Sequence, residues 1–132
     1  MAFYPALVHH DADTAFGLSF PDFPGTIASG ETIEAAVADA ESALVATLEL
    51  MTEHGDEVPE PSPLEAVAEL EDVRDAQAIV LIEARFAEPT IRVNTTIPAS
   101  LVARIDREAG RRGMSRSAFL TEAARAALRA SS

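Results

Sequence analysis

The chain has 132 residues and a net charge of −12 at pH 7, with 22 acidic residues against ten basic ones. It contains no cysteine, which excludes disulfides and thiolate metal sites, and no apolar run approaches the roughly 18 to 20 residues of a membrane span. These features predict a protein of the reducing cytoplasm that does not enter a membrane.

The charge is distributed unevenly along the chain. Residues 1–90 carry 19 acidic residues and two arginines, a net charge of −17, whereas residues 91–132 carry eight arginines and three acidic residues, a net charge of +5. A basic segment attracts a polyanion such as DNA, and an acidic segment suits a basic protein or simply keeps the chain in solution. The break predicts two small domains, residues 1–88 and residues 89–132.

The first part of the chain has the pattern of a hairpin followed by a helix. Residues 3–10 and 16–20 are predicted strands joined by turn formers at residues 11–14, and residues 26–29 are a short third strand. A long helix is then predicted, with Thr32 as its N-cap and Gly55 at its C′ position. The apolar stripe of this helix consists of Ile33, Val37, Ala40, Leu44, Leu48 and Met51.

A proline-rich connector follows the long helix. Ser62 is predicted to cap a short helix that has Pro63 at N1 and Glu65 at N3 and extends to about residue 70. Residues 78–82 form a continuous apolar run, which is typical of a central strand buried on both faces. Residues 1–88 therefore predict an α+β domain, a sheet with one long helix on one face.

The basic tail has the pattern of a strand and two helices. Apolar and polar residues alternate over residues 91–97, Pro98 begins a helix, Gly113 ends it and Ser115 caps a second helix. About 40 residues in this arrangement cannot enclose a core alone. We therefore expect a homodimer in which two copies pair their strands as an antiparallel ribbon and the four helices share one core.

The outward side chains of such a ribbon fit the major groove of DNA, which accommodates two β-strands. Arg92 suits guanine, Asn94 suits adenine, and Thr96 suits a base edge or a thymine methyl group. The start of the second helix offers unpaired N–H groups to a phosphate. The candidate DNA contacts there are Ser115, Arg116 and Ser117.

The order and spacing of these residues resemble a known domain. Residues 92–98 (RVNTTIP) and 113–120 (GMSRSAFL) look like the ribbon-helix-helix DNA-binding domain, and the resemblance covers essentially all of residues 90–130. Thr95 departs from the pattern, because the family usually places a larger apolar residue there. The resemblance implies a domain that dimerises and binds operator DNA.

Four segments of the N-terminal half resemble the HicB family of type II antitoxins. They are residues 3–6 (FYPA), 16–25 (FGLSFPDFPG), 30–36 (GETIEAA) and 59–62 (PEPS). The resemblance implies a partial RNase H-like fold that lacks catalysis and binds HicA, a small basic toxin that cleaves mRNA. It also implies repression of the toxin–antitoxin operon by the C-terminal domain, and it leaves open whether the dimers pair into a tetramer.

The aromatic segment at residues 20–25 has two interpretations. A rigid loop of this kind is suited to docking a partner, and prolines and phenylalanines at a strand end are as common at a corner of the core. If the segment docks the toxin, the expected contacts are Tyr4, Asp22, Phe23 and Pro24.

Two functions other than that of an antitoxin are considered. The first is a ribbon-helix-helix repressor that has no toxin partner and whose N-terminal domain senses a small molecule or only oligomerises. The second is a metal-dependent nuclease, which would need the carboxylates of Asp11, Asp13 and Asp22 to converge on a metal ion. Asp11 and Asp13, however, occupy a predicted turn, where aspartate is favoured because its side chain hydrogen-bonds to the nearby backbone. We therefore expect that the protein is not an enzyme and that it has no catalytic residue, no bound metal and no cofactor.

Overall fold

A computed structural model describes residues 2–10, 13 and 15–131 and separates the chain into two compact units, residues 1–90 and residues 91–132. The predicted α+β class is confirmed, since the described residues form a four-stranded antiparallel sheet and four α-helices. The elements are β1 (Ala2–His9), β2 (Phe16–Ser19), β3 (Ile27–Gly30), α1 (Ile33–His54), α2 (Leu64–Ala68), a 3-10 helix (Glu71–Asp75), β4 (Ala78–Ala84), α3 (Ala99–Arg111) and α4 (Arg116–Ala130).

The sheet of the first unit has the strand order β3-β2-β1-β4. The predicted pairing of β1 with β2 is confirmed; Asp13 lies in a turn, whereas residues 11, 12 and 14 of the predicted connection lie outside the described residues. Pro5 of β1 is opposite Leu81 of β4, and the ladder to β2 involves only Leu7 to His9. Proline therefore occupies a part of β1 that pairs on one side only, where its missing N–H is tolerated.

Helix α1 packs on one face of the sheet. Thr32 accepts a hydrogen bond from Ala35 N at 3.1 Å and Gly55 takes a left-handed φ of 71°, so both predicted ends are confirmed. The core between α1 and the sheet contains the predicted stripe, with Ala40, Leu44 and Leu48 buried. Gly30 lets the chain turn tightly into α1, because a Cβ at this position would overlap the backbone of Ala35 and Ala36.

Two predictions for the segment after α1 are wrong. Ser62 does not cap α2; Pro63 is the N-cap, because the N–H and the hydroxyl of Ser62 both donate to the carboxylate of Asp22. The helix ends at Ala68, close to the predicted end at about residue 70, and a 3-10 helix that the sequence did not predict follows it. The second wrong prediction is that the strand at residues 78–84 is central: among the described strands β4 pairs with β1 alone, and its Leu81 is 51% exposed.

The second unit contains α3 and α4, which contact each other. The chain leaves α3 through Gly113 with φ 68°, and Met114 N donates to Ala109 O at 2.8 Å, which confirms the predicted stop. Ser115 caps α4 as predicted, but Pro98 is the N-cap of α3 rather than its first helical residue. Residues 91–97 form no strand within one chain, because a strand needs a hydrogen-bonded neighbour and none of the described segments supplies one.

Candidate nucleic-acid interface and partner-binding corner

The segment that precedes α3 is exposed on both of its alternating sides. Of the apolar side chains predicted to face a shared core, Ile91 is 84% and Val93 is 72% exposed, whereas Ile97 is half-buried. Arg92, Asn94 and Thr96 on the other side are exposed as well. The segment thus keeps the predicted alternation, with apolar side chains on one side and polar ones on the other, and both sides are accessible in one chain.

The start of α4 has the geometry expected of an anion-binding helix end. The Oγ of Ser115 accepts the N–H of Ala118 at 3.1 Å, so this hydroxyl is committed to the cap. The N–H groups of the first two helical residues, Arg116 and Ser117, have no partner within a helix of this type, and both residues are exposed. A phosphate can accept hydrogen bonds from these two N–H groups.

The side chain of Arg116 is already paired, which the sequence did not predict. Its Nε donates to Asp106 Oδ1 at 2.9 Å and its Nη2 donates to Asp106 Oδ2 at 2.8 Å, in a bidentate pair. The hydrogen bond from Arg116 lowers the pKa of Asp106, and the same bond raises the pKa of Arg116. A guanidinium has five N–H donors, so three remain for a phosphate.

The end of α3 has a second ionic cluster that sequence reasoning missed. Glu108 accepts hydrogen bonds from Arg111 at 2.9 and 2.7 Å and from Arg112 at 2.7 Å, and these bonds lower the pKa of Glu108 to about 2. The guanidinium of Arg112 lies 5.5 Å from the ring centre of Phe119 on α4. The three- and four-residue spacing of these charges on one helix is the signal that would have revealed the cluster.

The corner at residues 20–25 belongs mainly to the core of the first unit. Tyr4 and Phe23 are each 4% exposed, their ring centres are 4.8 Å apart, and the hydroxyl of Tyr4 donates to Pro59 O at 2.7 Å. Burial raises the pKa of Tyr4, with smaller contributions from Glu60 and Asp22.

Of the four predicted toxin contacts, Tyr4 and Phe23 therefore present almost no surface for a direct contact. Asp22 is half-buried and bound to Ser62. Pro24 alone of the four is exposed. A toxin contact at this corner stays a prediction, and Pro24 is the residue best placed to make it.

Neither a metal centre nor a membrane-spanning helix is found in the described residues. No three histidine or acidic side chains among them lie close enough together to hold a metal ion, and Asp11 of the predicted carboxylate set lies outside these residues. None of the described helices combines the length and the apolar character that crossing a membrane requires.

The chain is thus a two-part protein, an acidic α+β unit followed by a basic helical unit. The family model described as the HicB-like antitoxin of bacterial toxin–antitoxin systems matches residues 4–124 of this chain. The chain belongs to this antitoxin family, and the resemblance of its N-terminal half to the HicB family is confirmed.

Individual relatives agree with this assignment. Antitoxin HicB 2 of Photorhabdus laumondii is 31% identical over 94 residues, which are 71% of this chain and 59% of that protein. The crystal structure of the Burkholderia pseudomallei antitoxin HicB is similar at a TM-score of 0.60 and 30% identity, and the match covers 94% of this chain and 96% of that one. A chain of a toxin–antitoxin complex from Streptococcus pneumoniae, 24% identical with a TM-score of 0.52 and coverage of 92% and 95%, shares the fold.

Proposed function

We propose that this antitoxin neutralises a small, basic, HicA-like ribonuclease through residues 1–88 and represses its own operon through residues 89–132. The observation that carries the proposal is the match of the antitoxin family over residues 4–124 of a chain whose two parts have opposite charge. The chain is a binding protein in this proposal and catalyses no reaction.

The charge of the first unit supports its role as the toxin-binding domain. An enzyme that cleaves mRNA needs a positively charged surface to hold its substrate, and residues 1–90 have a net charge of −17. Complementary charge accelerates the encounter and selects the partner. We further propose that the sheet and α1 form a partial RNase H-like fold, which here presents an acidic surface in place of an active site.

The exposed segment of the second unit supports its role as a DNA-binding dimer. Two copies of residues 91–97 would pair as a ribbon, cover Ile91 and Val93 with the helices of both chains, and leave Arg92, Asn94 and Thr96 facing the major groove. The start of α4 would hold a phosphate. This arrangement is the ribbon-helix-helix fold.

The experiment that tests the toxin-binding half uses the tagged full chain to capture its partner from the source cells. The expected result is one small basic protein, identified by mass, whose RNA cleavage stops when the purified chain is added. The matched control is Arg92→Ala, which should capture the same protein because Arg92 lies in the other unit. Capture of no such protein, from a chain that still binds its own promoter DNA, would favour the sensor-repressor alternative.

The DNA-binding half has a separate test. Affinity for the promoter of the chain's own operon should exceed that for random DNA and should fall with salt at a slope of about −0.9 per phosphate contacted. A flat salt response would contradict a complex anchored on phosphates.

A further inference from the structure

The sheet of the first unit has an unprotected edge at β4. This strand has seven residues, whereas β3 at the opposite edge has four. β4 contains no proline, and the charged side chains Glu83 and Arg85 lie at its end and not along residues 78–82; proteins commonly use such residues to prevent sheet edges from pairing. In the described part of the chain, the backbone-to-backbone hydrogen bonds of β4 run to β1 alone, so its outer N–H and C=O groups are open.

An apolar patch adjoins this edge on the face away from α1. Ile82 and Ala84 of β4 belong to the core under α1, so Leu81 points to the opposite face. Phe3 is paired with Glu83 and Pro5 with Leu81, which makes Phe3 and Leu81 diagonal neighbours on that face. They are 48% and 51% exposed. We refer to the outer edge of β4 together with Phe3 and Leu81 as the β4 surface.

The end of β4 leads into an open groove of about 690 Å³ within the same unit. Apolar side chains such as Val58 and Phe86 line most of the groove, and its charged lining consists of Glu83, Glu88 and Arg85, whose Nε donates to Glu83 at 3.2 Å. A long basic side chain suits this combination, because its apolar stem can lie along the groove while its charged head meets the carboxylate of Glu88. The groove thus extends the β4 surface towards a basic ligand.

Charge decides which kind of molecule fits the β4 surface. Pairing with the β4 of a second copy would bring together two units of net charge −17 each, whereas a basic protein compensates that charge. We infer that the β4 surface is where the basic toxin docks, by adding an extended segment to the edge of the sheet. This inference rests on the proposed function and names the surface that performs it, which differs from the corner at residues 20–25.

The test compares two leucines of the same unit that differ in position only. Leu81→Arg changes the β4 surface, and Leu50→Arg on α1 is the matched control, because the two side chains are 51% and 53% exposed and the charge change is identical. The probe is the RNA-cleaving protein that the wild-type chain captures. Leu81→Arg should weaken its binding by about tenfold or more, the loss typical of a central contact, while Leu50→Arg should bind nearly as the wild type.

Amide hydrogen exchange of the wild-type chain provides a second measurement that does not depend on the folding of a variant. Amides of residues 78–84 should gain protection when the probe binds, because an added strand pairs with the open edge. Equal loss of binding in both variants, or no added protection at β4, would overturn the inference while leaving the antitoxin function intact.

Two other outcomes would also decide whether the inference holds. If the wild-type chain captures no RNA-cleaving protein, the proposed function fails and the inference fails with it. If β4 becomes protected only with rising concentration of the chain itself, the edge pairs with a second copy, and the inference is wrong.

Discussion

The proposed dimer makes a quantitative prediction at Val93. In a single chain this side chain is 72% exposed, and in the paired ribbon it would be covered. Val93→Ala removes two methyl groups, worth about 1.6 kcal/mol on full burial at about 0.8 kcal/mol per buried CH2. Because the dimer would newly cover 72% of the side chain, we scale this value by 72%. The expected loss of dimer stability is then about 1.2 kcal/mol per chain and about 2.3 kcal/mol per dimer.

This loss corresponds to a dimer dissociation constant that rises about 50-fold, at about 1.4 kcal/mol per tenfold change. Sedimentation equilibrium of the full chain measures that constant. The control is Asn94→Ala, the adjacent residue on the polar side, which should leave the dimer unchanged and alter discrimination between promoter and random DNA. An unchanged dimer constant for Val93→Ala, at an unchanged melting temperature, would refute the placement of Val93 in a shared core.

Three further predictions concern the tail and the core. Arg92→Ala should weaken binding to the specific DNA by about 1–3 kcal/mol in a competition assay, and an equal loss on random DNA would contradict a guanine contact. Leu44→Ala should lower the free energy of unfolding by about 2–5 kcal/mol in urea, since Leu44 is fully buried, whereas Leu50→Ala at 53% exposure should change it little. Because Arg111 and Arg112 lower the pKa of Glu108 from 4.5 to about 2, its ion pairs should persist above that pH and be lost as the pH falls towards it. Carboxyl NMR titration measures this midpoint, and a value near 4.5 would show that the pairs do not form in solution.

Much of the local structure was predictable because its causes lie within a few residues. The ends of α1 follow from an oxygen on Thr32 that caps the first turn and from the left-handed conformation that Gly55 adopts. The same holds for Ser115 at the start of α4 and Gly113 after α3. The hairpin of β1 and β2 was predictable from alternation, and the antitoxin family from ordered motifs that span the chain.

The wrong predictions have a different physical cause, because they concern contacts between residues that are far apart in the chain. Ser62 has the sequence context of a helix cap, but Asp22, 40 residues earlier in the chain, takes both of its donors. The apolar run at residues 78–82 was assigned to the centre of the sheet, because hydrophobicity alone does not specify how many neighbours a strand has. The sequence also did not predict that Arg116, which stays a candidate phosphate contact, pairs with Asp106 of α3 in the folded chain.

The sequence by itself determined the division of charge, the order of the elements and the antitoxin family, because each is written in composition or in local spacing. Only the tertiary structure decided that β4 is an open edge, that Tyr4 and Phe23 are enclosed, and that Ile91 and Val93 remain uncovered in one chain. Burial and edge position are properties of which segments meet across the fold. They depend on contacts between residues far apart in the chain, and no local pattern records them.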